Sequence, residues 1–529
     1  MQSILLIDDD PLVLKSLTTL LRRNNFGVTA CQSGYDAISA FKKFKFDLII
    51  CDIRMADQDG IQTITKIRQL ESSNRFPVPI IMVTGFAKID APIEAIKIGV
   101  QDYFLKPFDN VALLKSIQKN LEDYSKRKEI NAPMTKKPVR FNVLSVGVLG
   151  PFGMCLEDLW GYINSCKPNF ELIDVEGSVL PCMRVRGLYP ERYFNEKQLH
   201  NLDRNSIFIA TAAKFSIESA EIKISKIGSD KVGVSIGTSI SIATAMSDFD
   251  ESVLRDGNRR SKIGIFPNTV MCAPASRVSI FEHITGSNTT IPTGMNSGID
   301  AIGYACLSLE NDLAELVVAG GSDALSEKIL AGYRRENLLF NSDVTIGRNK
   351  RGAFLPSEGA CVLVLKRADE ERVDPRVYCE ILSYTSGFAP FKRRQIEQRS
   401  YILKSIADEC LNKANLEPEL IDCFLISSYF DEFNLQTELK AIEALLNGTL
   451  SKKPVLAPKK MLGESFAAYS PTLLAFSIGL FNGEISMEAI KYLDQNNSEI
   501  NHTQIRTALI VHVSPSGHES VMILKSSTS

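Results

Sequence analysis

Along the first 125 residues, short apolar runs of β character alternate with stretches of helical period. The runs Ser3–Asp8, Phe26–Ala30, Leu48–Cys51, Ile80–Thr84 and Asp102–Phe104 predict five strands, and the amphipathic stretches between them predict helices covering a parallel sheet. This alternation implies a flavodoxin-like, doubly wound α/β domain over residues 1–125, with its site at the carboxyl ends of the strands. Periodicity then stops. Lys126-Arg127-Lys128, Ala132-Pro133 and Lys136-Lys137-Pro138 mark a linker over 126–139. The buried-strand run Val143–Val148 opens a second region, and a new strand–helix series begins near Val377, so that region divides into α/β halves at 140–376 and 377–529.

Length and composition narrow this picture. At 529 residues the chain exceeds one hydrophobic core, with room for roughly three to four domain-sized units. A hydrophobic content of 44% with 23% charged residues is that of a soluble globular protein. The formal net charge of −2 gives no overall attraction to nucleic acid or to an acidic membrane, and the clusters Lys126-Arg127-Lys128 and Lys392-Arg393-Arg394 read as solvated faces. Met1 is followed almost at once by the strand-like run Ile4–Ile7, so no signal sequence is expected. The apolar runs Val143–Met154 and Leu473–Phe481 are interrupted by glycine or too short to span a bilayer. Eleven cysteines, with no C-x-x-C pair and several in apolar patterns (Cys51, Cys361, Cys423), argue against a disulfide framework and for a reducing cytoplasm.

Five features fall at the predicted strand ends of the first domain. Asp8 and Asp9 close the first strand, Asp52 the third and Thr84 the fourth, and Lys106-Pro107 follows the fifth. A parallel sheet brings these ends to one edge, where three crowded carboxylates call for a hard cation with oxygen ligands, Mg²⁺ being expected. The cation screens an incoming phosphoryl group from the Asp52 nucleophile, Lys106 adds a second positive charge, and the Thr84 hydroxyl can hydrogen-bond the bound group. Movement of Thr84 would vacate space for Tyr103, a switch of the bistable kind.

Over residues 1 to about 125 this set resembles the response-regulator receiver family. The resemblance implies Mg²⁺ held by Asp9, Asp52 and the Arg54 backbone carbonyl, with Asp8 acting partly through water. It also implies phosphorylation of Asp52 by a sensor histidine kinase, Lys106 and Thr84 as readers of the phosphoryl group, and Tyr103 as the switch aromatic. The loop after Asp52 departs from the family at Ala56, where proline is common.

In the second region an ordered series can be matched: Val146–Gly153, Val232–Thr238, Phe266-Pro267-Asn268, Ala319–Ala324, Pro356–Ala360 and Lys459–Gly463. Together they resemble the β-ketoacyl synthases of the thiolase fold, a duplicated α/β architecture, over essentially all of 140–529. That family condenses acyl units with a cysteine at a strand-to-helix elbow, two histidines and a backbone oxyanion hole. Here the elbow reads Thr293-Gly294-Met295-Asn296-Ser297-Gly298, so Met295 stands at the nucleophile position; Cys306, further along, is expected in the core. Ser427 stands at the first histidine position and Glu464 at the second, and no histidine lies between His283 and His502. Lys459 matches the family lysine and can pair with Glu464. Pro515 replaces a residue of the glycine-rich loop and removes a backbone N–H.

These substitutions point to a two-component regulator whose output is a non-condensing ketosynthase-like domain. Expected partners are a histidine kinase, an active ketosynthase and an acyl carrier protein, in a homo- or heterodimer, with no nucleic acid and no membrane. An acyl-binding sensor or scaffold is the alternative. A divergent acyltransferase or hydrolase using Ser427 or Glu464 ranks behind it, because Ser427 has no histidine near it to act as a base.

Overall fold

The computed structural model describes residues 2–55, 59–70, 78–85, 100–130, 138–200, 202–240, 242–257, 263–340, 346–369, 376–448, 453–496, 498 and 505–527. Ala56 and linker residues 131–137 lie outside the described residues. The chain forms two compact units, Met1–Lys137 and Pro138–Ser529, each taken by itself below.

In the first unit, β1 (Ser3–Ile7), β2 (Gly27–Cys31), β3 (Leu48–Asp52), β4 (Ile80–Thr84) and β5 (Asp102–Leu105) form a parallel sheet ordered β2-β1-β3-β4-β5, a flavodoxin-like arrangement. All five positions of β3 and of β4 are buried, as central strands covered on both faces require. β2 starts one residue later than its apolar run, because Gly27 is the residue that pairs with Ser3 and Phe26 turns into the core ahead of it. The helix Pro11–Arg23 begins at Asp10, whose carboxylate accepts the Leu12 N–H, with Pro11 in the first turn where a missing donor is harmless. The last helix, Asn110–Ile130, continues into the expected linker. It buries Leu113, Ile117, Leu121 and Tyr124 at helical spacing, and the residues that follow, Lys126-Arg127-Lys128-Glu129, are good helix formers that prolong it after the apolar pattern ends.

The second unit is a repeat. Its strands are β6 (Phe141–Leu149), the hairpin β7 (Glu171–Val175) and β8 (Ser178–Cys182), then β9 (Val232–Gly237), β10 (Asn288–Ile291), β11 (Leu316–Asp323) and β12 (Gly359–Arg367). After these come β13 (Cys379–Phe388), β14 (Cys423–Ile426), β15 (Val455–Leu456), β16 (Thr507–Val513) and β17 (His518–Ser526). The sheet runs β10-β9-β11-β12-β6-β13-β17-β16-β14-β15, and β7 and β8 stand apart. Leaving out that hairpin, both halves carry the order third, second, fourth, fifth, first, with the fifth strand antiparallel to its neighbours. This is a thiolase-like fold. The expected division near Val377 falls between β12 and β13.

The helices Ser297–Glu310 and Tyr469–Phe481 occupy equivalent places in the two halves and pack on each other. Every residue of Tyr469–Phe481 is buried, which explains why that apolar run has no polar face. No described helix is long and apolar enough to cross a membrane. All eleven cysteines are free, and Cys306 lies in the core, where burial holds its thiol far above the ordinary range.

Candidate functional sites

The strand ends of the first unit converge as their sequence positions imply. Ligand oxygens of Asp8, Asp9 and Asp52 lie within 4.8 Å of one another; Asp8 and Asp52 are buried and Asp9 is exposed. Lys106 Nζ donates to Asp8 Oδ2 and Asp52 Oδ2, both at 2.6 Å. Backbone donors hold the remaining oxygens: the Asp10 N–H reaches Asp8 Oδ1 at 3.0 Å and the Arg54 N–H reaches Asp52 Oδ1 at 3.2 Å. Burial pushes the Asp8 carboxyl up; the Lys106 and Asp10 contacts oppose it, and the neighbouring Asp52 charge adds to it. For Lys106, burial alone would lower the pKa, but hydrogen bonds to Asp52 and Asp8 outweigh it and raise the value.

Three carboxylates against one ammonium leave an excess of negative charge in a partly desolvated site. That donor set fits a hard divalent cation with oxygen ligands. Such an ion would be held by Asp8, Asp9 and Asp52 and would supply charge screening at the Asp52 oxygen.

Thr84 is buried at the end of β4, and its carbonyl accepts the Lys106 N–H at 2.7 Å, so the positions expected to read a phosphoryl group are tied through the backbone. Tyr103 is half-buried against the core, with its hydroxyl inside and lacking a hydrogen-bond partner among the described residues. Burial and then the Asp52 charge raise its pKa. Gly60 is a positional requirement that the strand-end argument does not reach. A Cβ there would meet the Asp52 carbonyl oxygen at 2.0 Å, so only glycine lets the chain close behind Asp52. The Asp59-Gly60 pair was the available sequence signal.

In the second unit β10 leads through Thr293 into the turn Gly294–Asn296 and the helix Ser297–Glu310. Gly294 has φ of +77°, and a Cβ on Gly298 would meet the Ala467 carbonyl at 2.0 Å, so glycines allow both the turn and the close approach of Phe466–Ala468. Met295 sits at the elbow, half-buried, packed on a cluster that includes Phe354, Phe430 and Phe466. Phe466 is fully buried with φ of +51°, stacked on Tyr333 at 6.0 Å and edge-on to Phe354 at 5.9 Å. An aromatic residue in the left-handed region stores strain that its packing must hold.

Glu464 is buried and paired with Lys459, and its Oε1 accepts the Phe466 N–H at 2.9 Å. The Lys459 ammonium also lies 4.3 Å from the centre of the Tyr469 ring. Ser427 is buried too, and it does have a base-like partner, contrary to the expectation from the histidine count. Its Oγ donates to Glu438 Oε1 at 2.8 Å and accepts the Val513 N–H at 2.9 Å. Glu438 also takes the backbone N–H groups of Ser427 and Ser428, at 2.9 and 3.0 Å. Burial pushes its carboxyl up to about 7. A search confined to histidines misses a carboxylate eleven residues downstream. Ser427 is 1% and Glu438 0% exposed, so the pair is enclosed and holds the backbone of Ser427 and Ser428 in place.

Histidines do enter this region, from β16 and β17. His512 is fully buried and bonded to Ser470 through Nδ1, with Nε2 lacking a partner among the described residues; burial holds its pKa well below the ordinary value. Its carbonyl accepts from Asn296 at 3.2 Å, which ties it to the elbow. Pro515 lies exposed in the turn joining β16 and β17, closed by the Ser514 N–H to the His518 carbonyl at 2.9 Å. Asp300, on the elbow helix, accepts from Tyr384 and Ser520, both at 2.7 Å, and pairs with His518 Nε2, also at 2.7 Å. Its pKa is lowered: burial would raise it, but the His518 contact prevails.

Residues 4–118 match the family model of the response regulator receiver domain, and residues 189–371 match that of the β-ketoacyl synthase N-terminal domain. The chain is 37% identical over 118 residues to the transcriptional regulatory protein ZraR of Salmonella typhimurium, covering 22% of this chain and 26% of ZraR. The chain thus spans about a quarter of the length of that curated relative. It is 21% identical over 341 residues to 3-oxoacyl-[acyl-carrier-protein] synthase 2 of Coxiella burnetii, covering 62% of this chain and 82% of that protein. The solved ishigamide ketosynthase/chain length factor shares its fold, with a TM-score of 0.64, 19% identity, and coverage of 74% of this chain and 99% of that one.

Proposed function

We propose, from a receiver domain joined to a β-ketoacyl synthase-like domain, that the chain is a response regulator phosphorylated on Asp52 whose output is a non-condensing ketosynthase-like partner of an acyl synthase. The observation that carries this reading is the contrast between the two sites. Asp52 has its nucleophilic oxygen beside Lys106 and a carboxylate set suited to Mg²⁺. At the elbow, a thioether that cannot form an acyl-enzyme packs among aromatic rings, and the position of the second histidine is taken by a carboxylate already paired with Lys459.

A carboxylate beside a developing enolate would oppose its charge. Cys306 is too deep in the core to replace Met295. Partnership is supported by the outer edge of β10, which has no strand partner among the described residues. The elements around that edge expose Phe266, Ile280 and Leu307, apolar side chains available to a second ketosynthase-fold subunit, identical or different. A histidine kinase upstream, an acyl carrier protein downstream and a cytoplasmic location complete the reading.

The test treats the purified chain with acetyl phosphate or a beryllofluoride mimic and measures its association with an acyl carrier protein and an intact ketosynthase. A change seen with the wild type and absent in Asp52→Asn supports regulation; unchanged binding in both would sink it.

A further inference from the structure

His518 and Glu519 open β17 and, as neighbours on a strand, point to opposite faces of the sheet. Each is half of an ion pair. His518 Nε2 donates at 2.7 Å to Asp300 Oδ2, on the helix that follows the elbow. Glu519 Oε1 accepts from Arg399 Nε and Nη2, both at 3.3 Å, on the helix Ile396–Ala414 of the other face. The turn 514–517, between β16 and β17, is tied to both. Arg399 Nη2 donates to the Ser514 carbonyl at 2.9 Å, and the Ser514 N–H reaches the His518 carbonyl at 2.9 Å.

The two pairs differ in access. The Arg399 and Glu519 side chains are both 0% exposed, whereas the His518 side chain is 24% exposed, over an Asp300 that is 8% exposed. Asp300 also accepts from Tyr384 and Ser520 through Oδ1 and from Thr293 through Oδ2, so His518 is its one cationic contact among the described residues. Because Nε2 keeps the proton given to Asp300, His518 titrates at Nδ1, which makes no hydrogen bond among the described residues. Loss of that proton leaves the contact in place but removes the countercharge of a buried carboxylate. Thr293 leads into the elbow turn and shares Oδ2 with His518, so the same charge is felt at the elbow.

We propose that His518 and Asp300 form a pH-sensitive catch, which holds the turn 514–517 to the elbow while His518 is protonated and loosens both when it is not. The hydrogen bond to Asp300 holds the His518 pKa above the ordinary histidine value, against the opposing effect of burial. A folded pKa above the unfolded one makes the catch complete below the unfolded value and lost as pH rises through the folded one. Asp300 stays ionised throughout, its pKa being lowered chiefly by His518 against the effect of burial. His512, from β16, is kept neutral by burial, burial pushes the Tyr384 hydroxyl of β13 far up, and Lys459, which faces His512, is paired with Glu464. On the other face, burial pushes Glu519 and Glu438 up to about 7, so those two titrate in the same range. The catch adds a second input, proton concentration, and does not rest on phosphorylation of Asp52.

The test follows backbone hydrogen–deuterium exchange of the full chain by mass spectrometry from about pH 6 to about pH 9, corrected for the pH dependence of exchange in unstructured peptide. Opening of residues 293–297 and 514–517, relative to the helix Leu156–Asn164, is expected to rise at least about threefold across that range in the wild type. His518→Lys, a cation throughout, should stay within about twofold. His518→Gln, never a cation, should exchange fast at both ends of the range. Glu519→Gln and Glu438→Gln should keep the wild-type rise, which separates the catch from the carboxylates of the other face. A flat wild-type profile overturns the proposal, as does a rise retained in His518→Gln or lost in both glutamate variants. Independently of any variant, deuterium uptake at the His518 ring carbon against pH reports its pKa, and a value at or below about 6.5 also overturns it. Every measurement uses the unphosphorylated chain, so failure here and failure of the regulatory reading are distinguishable.

Discussion

If Glu464 is a structural charge partner, its replacement by glutamine should destabilise the second unit severely. Glutamine keeps an oxygen for the Phe466 N–H but removes the countercharge of Lys459, whose side chain is only 8% exposed. Breaking a buried pair by neutralising one member costs about 3–5 kcal/mol. The Tyr469 ring, 4.3 Å from the ammonium, offsets on the order of 1–2 kcal/mol of this. A net loss of about 1–4 kcal/mol follows. At a urea dependence near 3 kcal/mol per molar, the unfolding midpoint should fall by roughly 0.3–1.3 M. Trp160 is the sole tryptophan, is buried in the second unit and donates to the Ala475 carbonyl at 3.1 Å, so its fluorescence follows that unit alone. The double variant Lys459→Met/Glu464→Gln removes both charges and should recover most of the loss. A Glu464→Gln loss below about 0.5 kcal/mol, or a double variant no better than the single, would refute the reasoning.

Other outcomes follow from the same geometry. Lys106→Met should still bind Mg²⁺ but take up the phosphoryl group from acetyl phosphate far more slowly, and chelation of Mg²⁺ should abolish uptake in the wild type, both followed by intact-mass measurement. Glu438 has a folded pKa of about 7, above its unfolded value, so its contribution to stability is full below the unfolded pKa and is lost as pH rises through about 7. Stability should therefore fall less between about pH 5 and about pH 8 in Glu438→Gln than in the wild type, and equal slopes would contradict the assignment. Incubation with labelled malonyl and acyl carrier thioesters should give no ketoacyl product from the wild type or from Met295→Cys, since Ser427 and Glu464 remain; product from the wild type would disprove the non-condensing reading. Ile280→Glu/Leu307→Glu should shift sedimentation towards the monomer, and an unchanged coefficient would exclude that face as the contact.

Strand-end chemistry was legible because a parallel sheet converts residues distant in sequence into neighbours at one edge. Asp8, Asp52 and Lys106 needed only the five strands to be placed. The elbow was equally legible, since Gly294 and Gly298 mark a turn and a close approach that few other residues tolerate. Charge partners assembled from separate segments were not. Glu438 reaches Ser427 from the following helix, and His512 arrives from β16, with no local pattern to announce either. The same holds for Arg393, identical in composition to its neighbours until Gly352 and Asp431 are brought against it. The end of the Asn110–Ile130 helix was missed for another reason: apolar period stops at Tyr124, whereas helix propensity does not.

The unequal ends of the second unit's sheet set a limit on assembly. β15 has two residues, and its outer edge is occupied by residues 493–495, through the Ala457 N–H to Leu493 and the Gln495 N–H to Val455. β10, at the other end, has four residues and, among the described residues, takes its strand pairing from β9 alone. Among the described residues, strand addition is thus open at one end only. Two such sheets joined through β10 would have no second open end to extend, so association by this route stops at a closed pair and cannot propagate into a filament.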